Sequence, residues 1–197
     1  MKKITKSALC FLLAVITVFS LAGCSKVQMT EDNILQTVVD VETAVKDFDE
    51  ETLKKYVDSK TLDVIIQYAE KHIQFEQLGT RIFESMTMNV ESVDTEKQTV
   101  TVRITNYDYT STASIFVSNL KSSYTPVQLM NKIDDENFLN SQLSELVELM
   151  GMTSGEYEKT VTLKVEKGKR NLVLVFDEEA EDAVSGGALS AIKDIYK

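Results

Sequence analysis

The boundary between a leader and a folding domain is the strongest signal in this chain. The sequence begins with three basic residues, Lys2, Lys3 and Lys6. An apolar stretch from Ala8 to Leu21 follows, and two small residues then lead to Cys24. This order of basic, apolar and small residues is typical of a secretion leader. The apolar stretch has about 14 residues, fewer than the roughly 20 that a membrane-spanning helix needs, so we expect the folded domain to begin after Cys24.

The residues that end this leader, Leu21-Ala22-Gly23-Cys24, resemble the lipobox of secreted bacterial lipoproteins. The resemblance implies cleavage between Gly23 and Cys24, attachment of diacylglycerol to the Cys24 thiol, and acylation of the new amino group, for example with palmitate. Two or more acyl chains give stable anchoring. We therefore predict a signal peptide over 1–23, a lipidated N-terminus and short tether over 24–29, and a location on the extracytoplasmic face of the cell membrane.

Cysteine usage restricts what can stabilise the mature domain. The chain has two cysteines; Cys10 leaves with the leader and Cys24 is consumed by lipid. No thiol then remains, which excludes a disulfide, cysteine-ligated zinc and a cysteine nucleophile. Residues 30–197 must rely on a hydrophobic core, and a chain of about 170 residues buries roughly 70% of its unfolded surface. We predict a single domain, held near the membrane by a tether that spans at most about 17 Å.

The net charge of the chain limits the classes of partner that we expect it to bind. The precursor carries a net charge of −10, and removal of the three leader lysines makes the mature chain about −13. Such a charge excludes nucleic acid as an expected partner. It also excludes attachment to anionic lipid through a basic patch, so the lipid must hold the protein at the membrane. The negative charge is explained by its contribution to solubility. The alternative explanation is a functional one, the binding of a cationic ligand or partner.

Helical periodicity dominates the residues after the tether. One apolar face recurs at spacings of three and four residues: Ile34, Val38, Val41, Val45 and Phe48. Thr30 is the expected N-cap of this helix. A second helix is predicted from Glu50 to Val57, and a third from Ser59 to about Leu78, where Gly79 would stop it. The third helix carries two apolar stripes. One can face a sheet, whereas the other lines a pocket, meets the following helices or contacts a partner, and spacing leaves these alternatives open.

Alternating polarity predicts two antiparallel hairpins. The first pairs a strand at residues 86–90 with a strand at residues 100–104. The second pairs residues 158–166 with residues 171–176. The last of these strands lacks polar alternation, which favours a central strand that is buried on both sides.

The roughly 50 residues between the hairpins return to helical spacing. Thr125 followed by Pro126 marks a helix start within this insertion. The segment is apolar and bears methionines, so it packs on the domain core or serves as a lid or binding surface. A final helix is predicted over residues 178–195, with Gly186 and Gly187 interrupting it and allowing close packing.

The order of these elements resembles the nuclear transport factor 2-like superfamily. Two short pieces, Asp49 to Tyr56 and Ile104 to Asp108, are also similar to small lipoproteins of unknown function from Gram-positive bacteria. The resemblance implies an α+β fold with N-terminal helices on a curved antiparallel sheet, a helical insertion and a C-terminal helix. In that superfamily the sheet wraps a long helix into a cone whose open end often binds a small molecule or peptide. The resemblance thus implies a cavity rather than a chemistry.

The expected function follows from the anchor and the cavity. We predict a lipid-anchored, noncatalytic module that binds an unidentified small molecule or envelope protein. Its lipid makes the membrane a further partner. A homodimer formed through the exposed face of the sheet is an additional option. A noncatalytic envelope scaffold is one alternative. The other is a cavity enzyme similar to ketosteroid isomerase, in which desolvated Asp108 would act as base beside Tyr56, Tyr68 or Tyr107.

Other site signatures are weak or lacking in the sequence. It contains no phosphate loop, zinc-protease motif or serine-nucleophile motif, and we assign no catalytic, cofactor-binding or metal-binding residue. His72, the single histidine, is expected to be structural. One acidic run comprises Asp177, Glu178, Glu179, Glu181 and Asp182. It suggests a calcium site but lacks the ligand spacing of an EF-hand. The favourable effect of negative charge at the start of a helix is the simpler explanation.

Overall fold

The structure, a computed structural model, describes residues 27–195. The predicted signal peptide and the lipidation site Cys24 lie outside these residues. The described part is a mixed α+β fold. Its helices are α1 Glu31–Lys46, α2 Glu50–Tyr56, α3 Lys60–Ala69, α4 Ile73–Phe83, α5 Thr110–Ser123, α6 Pro126–Met130, α7 Glu136–Gly151, α8 Glu178–Val184 and α9 Ala188–Ile195. Its strands are β1 Val57–Asp58, β2 Thr87–Asp94, β3 Thr99–Tyr107, β4 Glu156–Lys167 and β5 Leu172–Val175.

Local capping signals place most helix starts where the sequence predicts them. The Thr30 side chain accepts a hydrogen bond from the Asn33 backbone N–H and begins α1. Asp49 caps α2 in the same way. Thr125 begins α6 in a capping box with Gln128. These side chains satisfy N–H groups that have no partner inside the helix, which is why such residues specify helix starts.

The predicted long third helix is wrong, because the chain forms two helices there. Helix α3 ends at Ala69, and His72 adopts an extended conformation before α4 begins at Ile73. Gly79 does not stop a helix but lies buried inside α4. A Cβ atom at Gly79 would lie 2.5 Å from the Phe48 ring. The glycine therefore lets α4 pack directly against that ring, and tertiary packing overrides its usual role as a helix terminator.

The sheet has five strands in the order β1-β5-β4-β3-β2. Both predicted hairpins form, and β3 and β4 also pair as antiparallel neighbours. The expectation of an antiparallel sheet is corrected at one edge, where Val57 and Asp58 pair in parallel with β5. Strand β5 alternates between buried and half-buried residues, so the prediction of burial on both sides is also wrong. One face of β5 meets the core, and only the short β1 covers its free edge.

One face of the sheet carries the main core. Helices α1 and α8 supply Ile34, Val38, Ala180 and Ala183 to a buried cluster. The sheet supplies the facing residues Val100, Val102, Ile104, Val161, Leu163, Val165, Leu172 and Leu174. Val27 and Met29, in the predicted tether, also pack against this cluster. The region where a cone would open between sheet and helix is thus filled by side chains.

The opposite sheet face is polar. Thr101 and Thr162 share a hydrogen bond of 3.1 Å across β3 and β4. Arg103 pairs with Glu91 across β2 and β3, with 2.7 Å between guanidinium and carboxylate. Exposed ion pairs of this kind add little stability. The homodimer predicted for this face stays a prediction.

The chain turns sharply between α8 and α9 at the two glycines singled out in the sequence. Gly186 and Gly187 both have positive φ, +62° and +79°, a region that favours glycine. A Cβ atom on Gly186 would lie 2.0 Å from the Tyr107 carbonyl oxygen. The glycines therefore divide the predicted final helix and bring it against the end of β3.

Candidate functional site

A cavity of about 440 Å³ lies among the helices rather than between the sheet and α1. Its lining comes in part from α5 and α7, the two long helices of the insertion. The other helices that line it are chiefly α3, α4 and α9, of which α4 contacts α7 and α9 contacts α5. Val45, Leu53 and Phe176 line it where it meets the sheet core. The helical insertion therefore lines a cavity, whereas its composition left open packing on the core, a lid or a binding surface.

Helices α5 and α7 form an antiparallel pair that is held at three points. Thr112 and Thr153 share a hydrogen bond of 2.7 Å at one end. The Asn119 amide donates to Glu145 over 3.1 Å near the middle, and at the other end the rings of Tyr124 and Phe138 meet edge to face with centroids 5.3 Å apart. Their inner faces line the cavity with residues at helical spacing: Tyr109, Ala113, Phe116, Val117 and Leu120 from α5, and Leu139, Leu143, Leu146 and Met150 from α7.

Residues of the predicted third helix also line the cavity. Leu62 and Ile65 of α3 contribute, followed by Phe75, Leu78 and Ile82 of α4. Ala188, Leu189 and Ile192 of α9 contribute as well. The helical spacing of these residues is visible in the sequence. The sequence does not show that they line one common space.

The few polar residues that line the cavity mostly have partners within the protein. The Glu181 carboxylate accepts hydrogen bonds from the hydroxyls of Ser59 and Thr61, both at 2.6 Å, and from the Thr61 backbone N–H at 3.2 Å. The Ser185 hydroxyl donates to the Asp182 carbonyl. These bonds tie α8 to the start of α3. The cavity therefore offers few hydrogen-bonding groups to a ligand, and its surface is suited to hydrocarbon.

Tyr109 lies at the end of the cavity where α5 begins. Its side chain is 4% exposed, and burial raises the pKa of its hydroxyl to about 12, with the negative charge of Glu84 adding to the effect. A tyrosine with a raised pKa keeps its proton at neutral pH and is a poor acid. Tyr109 therefore acts as an apolar wall residue with a polar tip.

The residues considered for acid–base catalysis are not brought together at the cavity. Asp108 accepts a hydrogen bond from the Thr110 backbone N–H in the turn before α5. Tyr107 is 42% exposed, Tyr68 packs against Phe75, and Tyr56 lies beneath the Lys55 ammonium group. None of the four candidates is among the cavity-lining residues that the structure describes.

A different carboxylate–tyrosine pair exists that the sequence did not reveal. Tyr157 of β4 donates a hydrogen bond of 3.0 Å to the Asp182 carboxylate, whose other oxygen accepts from the Ser190 backbone N–H at 2.8 Å. Burial and this hydrogen bond raise the Tyr157 pKa to about 12. Asp182 is 5% exposed, and it joins β4, α8 and α9. No local signal marks this pair, because its members are 25 residues apart.

His72 lies at the seam between α4 and the insertion. Its side chain is 10% exposed, and its Nε2 atom is 3.9 Å from an Asp134 carboxylate oxygen. Its Nδ1 atom is buried without a hydrogen-bond partner among the described residues. His72 does not line the cavity. The neighbouring Gln74 donates to Asn140 over 2.7 Å, so this seam joins α4 to α7.

The acidic run considered for calcium is dispersed among separate partners. Asp177 caps α8 through the backbone N–H groups of Glu179 and Ala180, as the helix-start interpretation predicts. Glu178 pairs with Lys193 and Glu179 pairs with Lys159. Within residues 27–195, no group of three or more histidine, cysteine, aspartate or glutamate residues is arranged to hold a metal ion.

A polar cleft of about 510 Å³ adjoins the cavity at the C-terminal end of α5. Leu129 lines both spaces. The other described residues of the cleft are Lys121, Ser122, Ser123, Tyr124, Thr125, Pro126 and Gln128. The helical part of the protein therefore combines a long apolar space with a polar one at its end.

Comparison with protein-family models, curated proteins and solved structures gives no match to this chain. Within residues 27–195, no helix combines the length and apolar character needed to cross a membrane. The functional argument therefore rests on the geometry of the cavity and on the leader sequence.

Proposed function

We propose that this protein is a lipid-anchored binding module of the cell envelope that takes a small apolar molecule into the cavity among its helices. The cavity volume of about 440 Å³ falls within the roughly 300–1,000 Å³ usual for ligand sites. Apolar side chains line almost all of it. This is the observation that carries the proposal.

The apolar lining supports an apolar occupant. Leucine, isoleucine, valine and phenylalanine side chains from several helices line the space. An apolar ligand would shield these side chains from water, and its own transfer from water would drive binding.

The leader sequence supports the proposed membrane anchor, and the order of helices and strands supports the proposed superfamily. The residues Leu21 to Cys24 favour lipid attachment at Cys24 on the extracytoplasmic face of the cell membrane. Normal processing and membrane retention of a Cys24→Ala variant would contradict this. The sequence of helices, hairpin, insertion, hairpin and closing helices supports the finer assignment to the nuclear transport factor 2-like superfamily. A ligand site between the helices would then differ from the cone of that superfamily.

The binding proposal is tested with residues 25–197, which contain the whole described fold, and the uncharged fluorescent dye 1-aminoanthracene. We expect saturable binding with enhanced fluorescence. An Ala113→Phe variant places a ring inside the cavity and should weaken binding at least about tenfold, the loss of roughly 1.4 kcal/mol. The matched control is Val39→Phe, at a site that is 55% exposed on α1, and it should bind the dye normally. Equal binding by both variants would contradict the assignment of the cavity as the site.

A further inference from the structure

The cavity is lined by some helices that belong to the main core and by others that do not. In α3 and α4, Ile66, Ala69 and Phe83 are members of the buried core cluster, and Leu62 packs against it. Within residues 27–195, no residue of α5, α6, α7 or α9 belongs to that cluster. The helical insertion is therefore held in place by contacts outside the main core.

Helices α5 and α9 are fixed near the end of the sheet. They contact each other, and the Tyr109 backbone N–H at the start of α5 donates a hydrogen bond of 2.9 Å to the Gly186 carbonyl oxygen. The Ser190 backbone N–H of α9 donates to the Asp182 carboxylate over 2.8 Å, and that carboxylate also accepts a hydrogen bond from Tyr157 of β4. These bonds attach α5 and α9 to α8 and to the sheet.

Helices α6 and α7 are held less firmly than α5 and α9. Among the described residues, α7 buries only Leu139 and Met150, and α6 buries none. Val127 and Met130 of α6 are 68% and 76% exposed. Tertiary packing of an apolar face supplies most of the stability of a helix in a protein, and segments with few buried apolar contacts open at low free-energy cost. We therefore expect residues 126–151 to be the part of the cavity lining that separates most easily.

The two neighbours of α7 hold it differently. Side chains join α7 to α5 at both ends and near the middle of the antiparallel pair. Towards α4, the Gln74 amide donates to Asn140 over 2.7 Å, and the His72 ring lies 3.9 Å from the Asp134 carboxylate, whose side chain is 84% exposed. Exposed polar contacts of this kind contribute little stability. Separation of α7 from α4, with α5 still in contact, is therefore the less costly way to open the cavity.

We propose that α6 and α7 form a lid over the apolar cavity. The lid rotates about its contacts with α5, separates from α4, and so opens a passage for the ligand between α4 and α7. Cavity-lining side chains such as Phe75 of α4 and Leu143 of α7 meet water while the lid is open, and their burial drives it shut. This inference rests on the proposed function and names the segment that controls access to its site.

The test measures how fast 1-aminoanthracene enters and leaves residues 25–197, a chain that contains no cysteine. A double variant, Gln74→Cys with Asn140→Cys, places thiols at the contact between α4 and α7, where bismaleimidoethane joins them. This cross-link should slow dye association and dye release at least about tenfold, because the lid can no longer open. The matched control is the same cross-link in a Thr101→Cys, Thr162→Cys variant on the polar sheet face, where the two hydroxyls are 3.1 Å apart. It should leave both rates unchanged.

A pair of single substitutions tests the direction of opening. Gln74→Ala removes the hydrogen bond to Asn140 on the α4 side and should speed dye entry and release roughly two- to tenfold. Asn119→Ala removes the hydrogen bond to Glu145 on the α5 side and should raise neither rate, because that contact persists while the lid is open. A larger increase with Asn119→Ala would locate the opening on the α5 side and overturn the proposed movement.

The outcomes separate this inference from the proposed function. Failure of the dye to bind the unaltered protein would overturn the proposed function and the lid with it. Dye binding with unchanged rates after the α4–α7 cross-link, or with equal slowing by the sheet cross-link, would overturn the lid alone. Dye added before the α4–α7 cross-link should be retained, whereas dye added afterwards should enter slowly; equal loss of binding in both orders would also count against the lid. Circular dichroism confirms that each variant is folded.

Discussion

Two parts of this domain use the same kinds of apolar side chain and pack them differently. The sheet half, defined as β1–β5 with α1 and α8, buries Ile34, Val102, Leu163 and Leu174 at 0–1% exposure. The helical half, defined as α3–α7 with α9, carries as many apolar residues. Many of them, such as Leu143 and Leu146, are only half-buried and surround a space of about 440 Å³.

The difference has a structural cause. Backbone hydrogen bonds hold neighbouring strands about 4.8 Å apart, so side chains on one sheet face must meet the helix that covers them. Helices have no such backbone link, and the side chains at their contacts set their separation. Near one end of α4 and α7, a hydrogen bond joins Gln74 to Asn140, and the His72 ring lies 3.9 Å from the Asp134 carboxylate. Apolar composition therefore produces a solid core in one half and a lined cavity in the other.

The largest effect is expected when leucine is truncated in each half. Leu163→Ala removes a side chain that is 1% exposed in the sheet half and should lower the free energy of unfolding by about 3–4 kcal/mol. Leu143→Ala removes one that already faces the cavity and should lower it by about 1 kcal/mol, because fewer contacts are lost. Urea unfolding of both variants measures the difference. Equal losses would show that the helical half is packed as tightly as the sheet half.

An intermediate effect is expected when alanine is enlarged. Ala183→Leu in α8, at 0% exposure, should destabilise the protein by about 1–3 kcal/mol through overpacking. Ala113→Leu adds three carbons inside the cavity and should stabilise it by up to about 1 kcal/mol, after the side-chain entropy cost is deducted. Thermal unfolding at one protein concentration compares the two. If Ala113→Leu destabilised the protein as much as Ala183→Leu, the helical half would have no more free space around Ala113 than the sheet half has around Ala183.

The effect that is smallest at neutral pH concerns tyrosine ionisation, because both tyrosines are then protonated in the folded and the unfolded chain. The pKa values of Tyr109 and Tyr157 are raised from 10.0 to about 12 by burial. The unfolded chain therefore loses these protons near pH 10, whereas the folded protein keeps them, and stability present below pH 10 should decline as the pH rises to 12. Ultraviolet titration and unfolding of Tyr109→Phe and Tyr157→Phe check this. Ionisation of Tyr109 well before Tyr157 would indicate that water fills the cavity end in the absence of ligand.

Sequence reasoning recovered the elements that depend on local chemistry. Thr30, Asp49 and Thr125 begin helices because their side chains accept hydrogen bonds from N–H groups within the next three residues. The first hairpin follows from alternation that matches the two-residue period of a strand. The break near Gly186 and Gly187 follows from positive φ angles that suit glycine. Each of these signals lies within a few residues of the feature it specifies.

The predictions that were wrong concern features that depend on residues far apart in the sequence. The position of Gly79 inside α4 depends on its contact with Phe48, about 30 residues earlier in the chain. Val57 joins a parallel strand pair only because β5 is beside it. The acid–base hypothesis named Asp108, whereas the buried carboxylate–tyrosine pair is Asp182 with Tyr157. The sequence indicated helical spacing of the apolar residues in α5, but it did not indicate the cavity that these residues line.

The sequence by itself determined the leader pattern, the lack of any cysteine after Cys24, the acidic charge and most helix and strand positions, because each depends on composition or on neighbours along the chain. The tertiary structure alone decided that the sheet is mixed, that the sheet half is filled, and that the insertion lines an apolar cavity. Those features depend on distances between segments far apart in sequence. A periodic apolar stripe is the same whether the surface opposite it is in contact or several ångströms away.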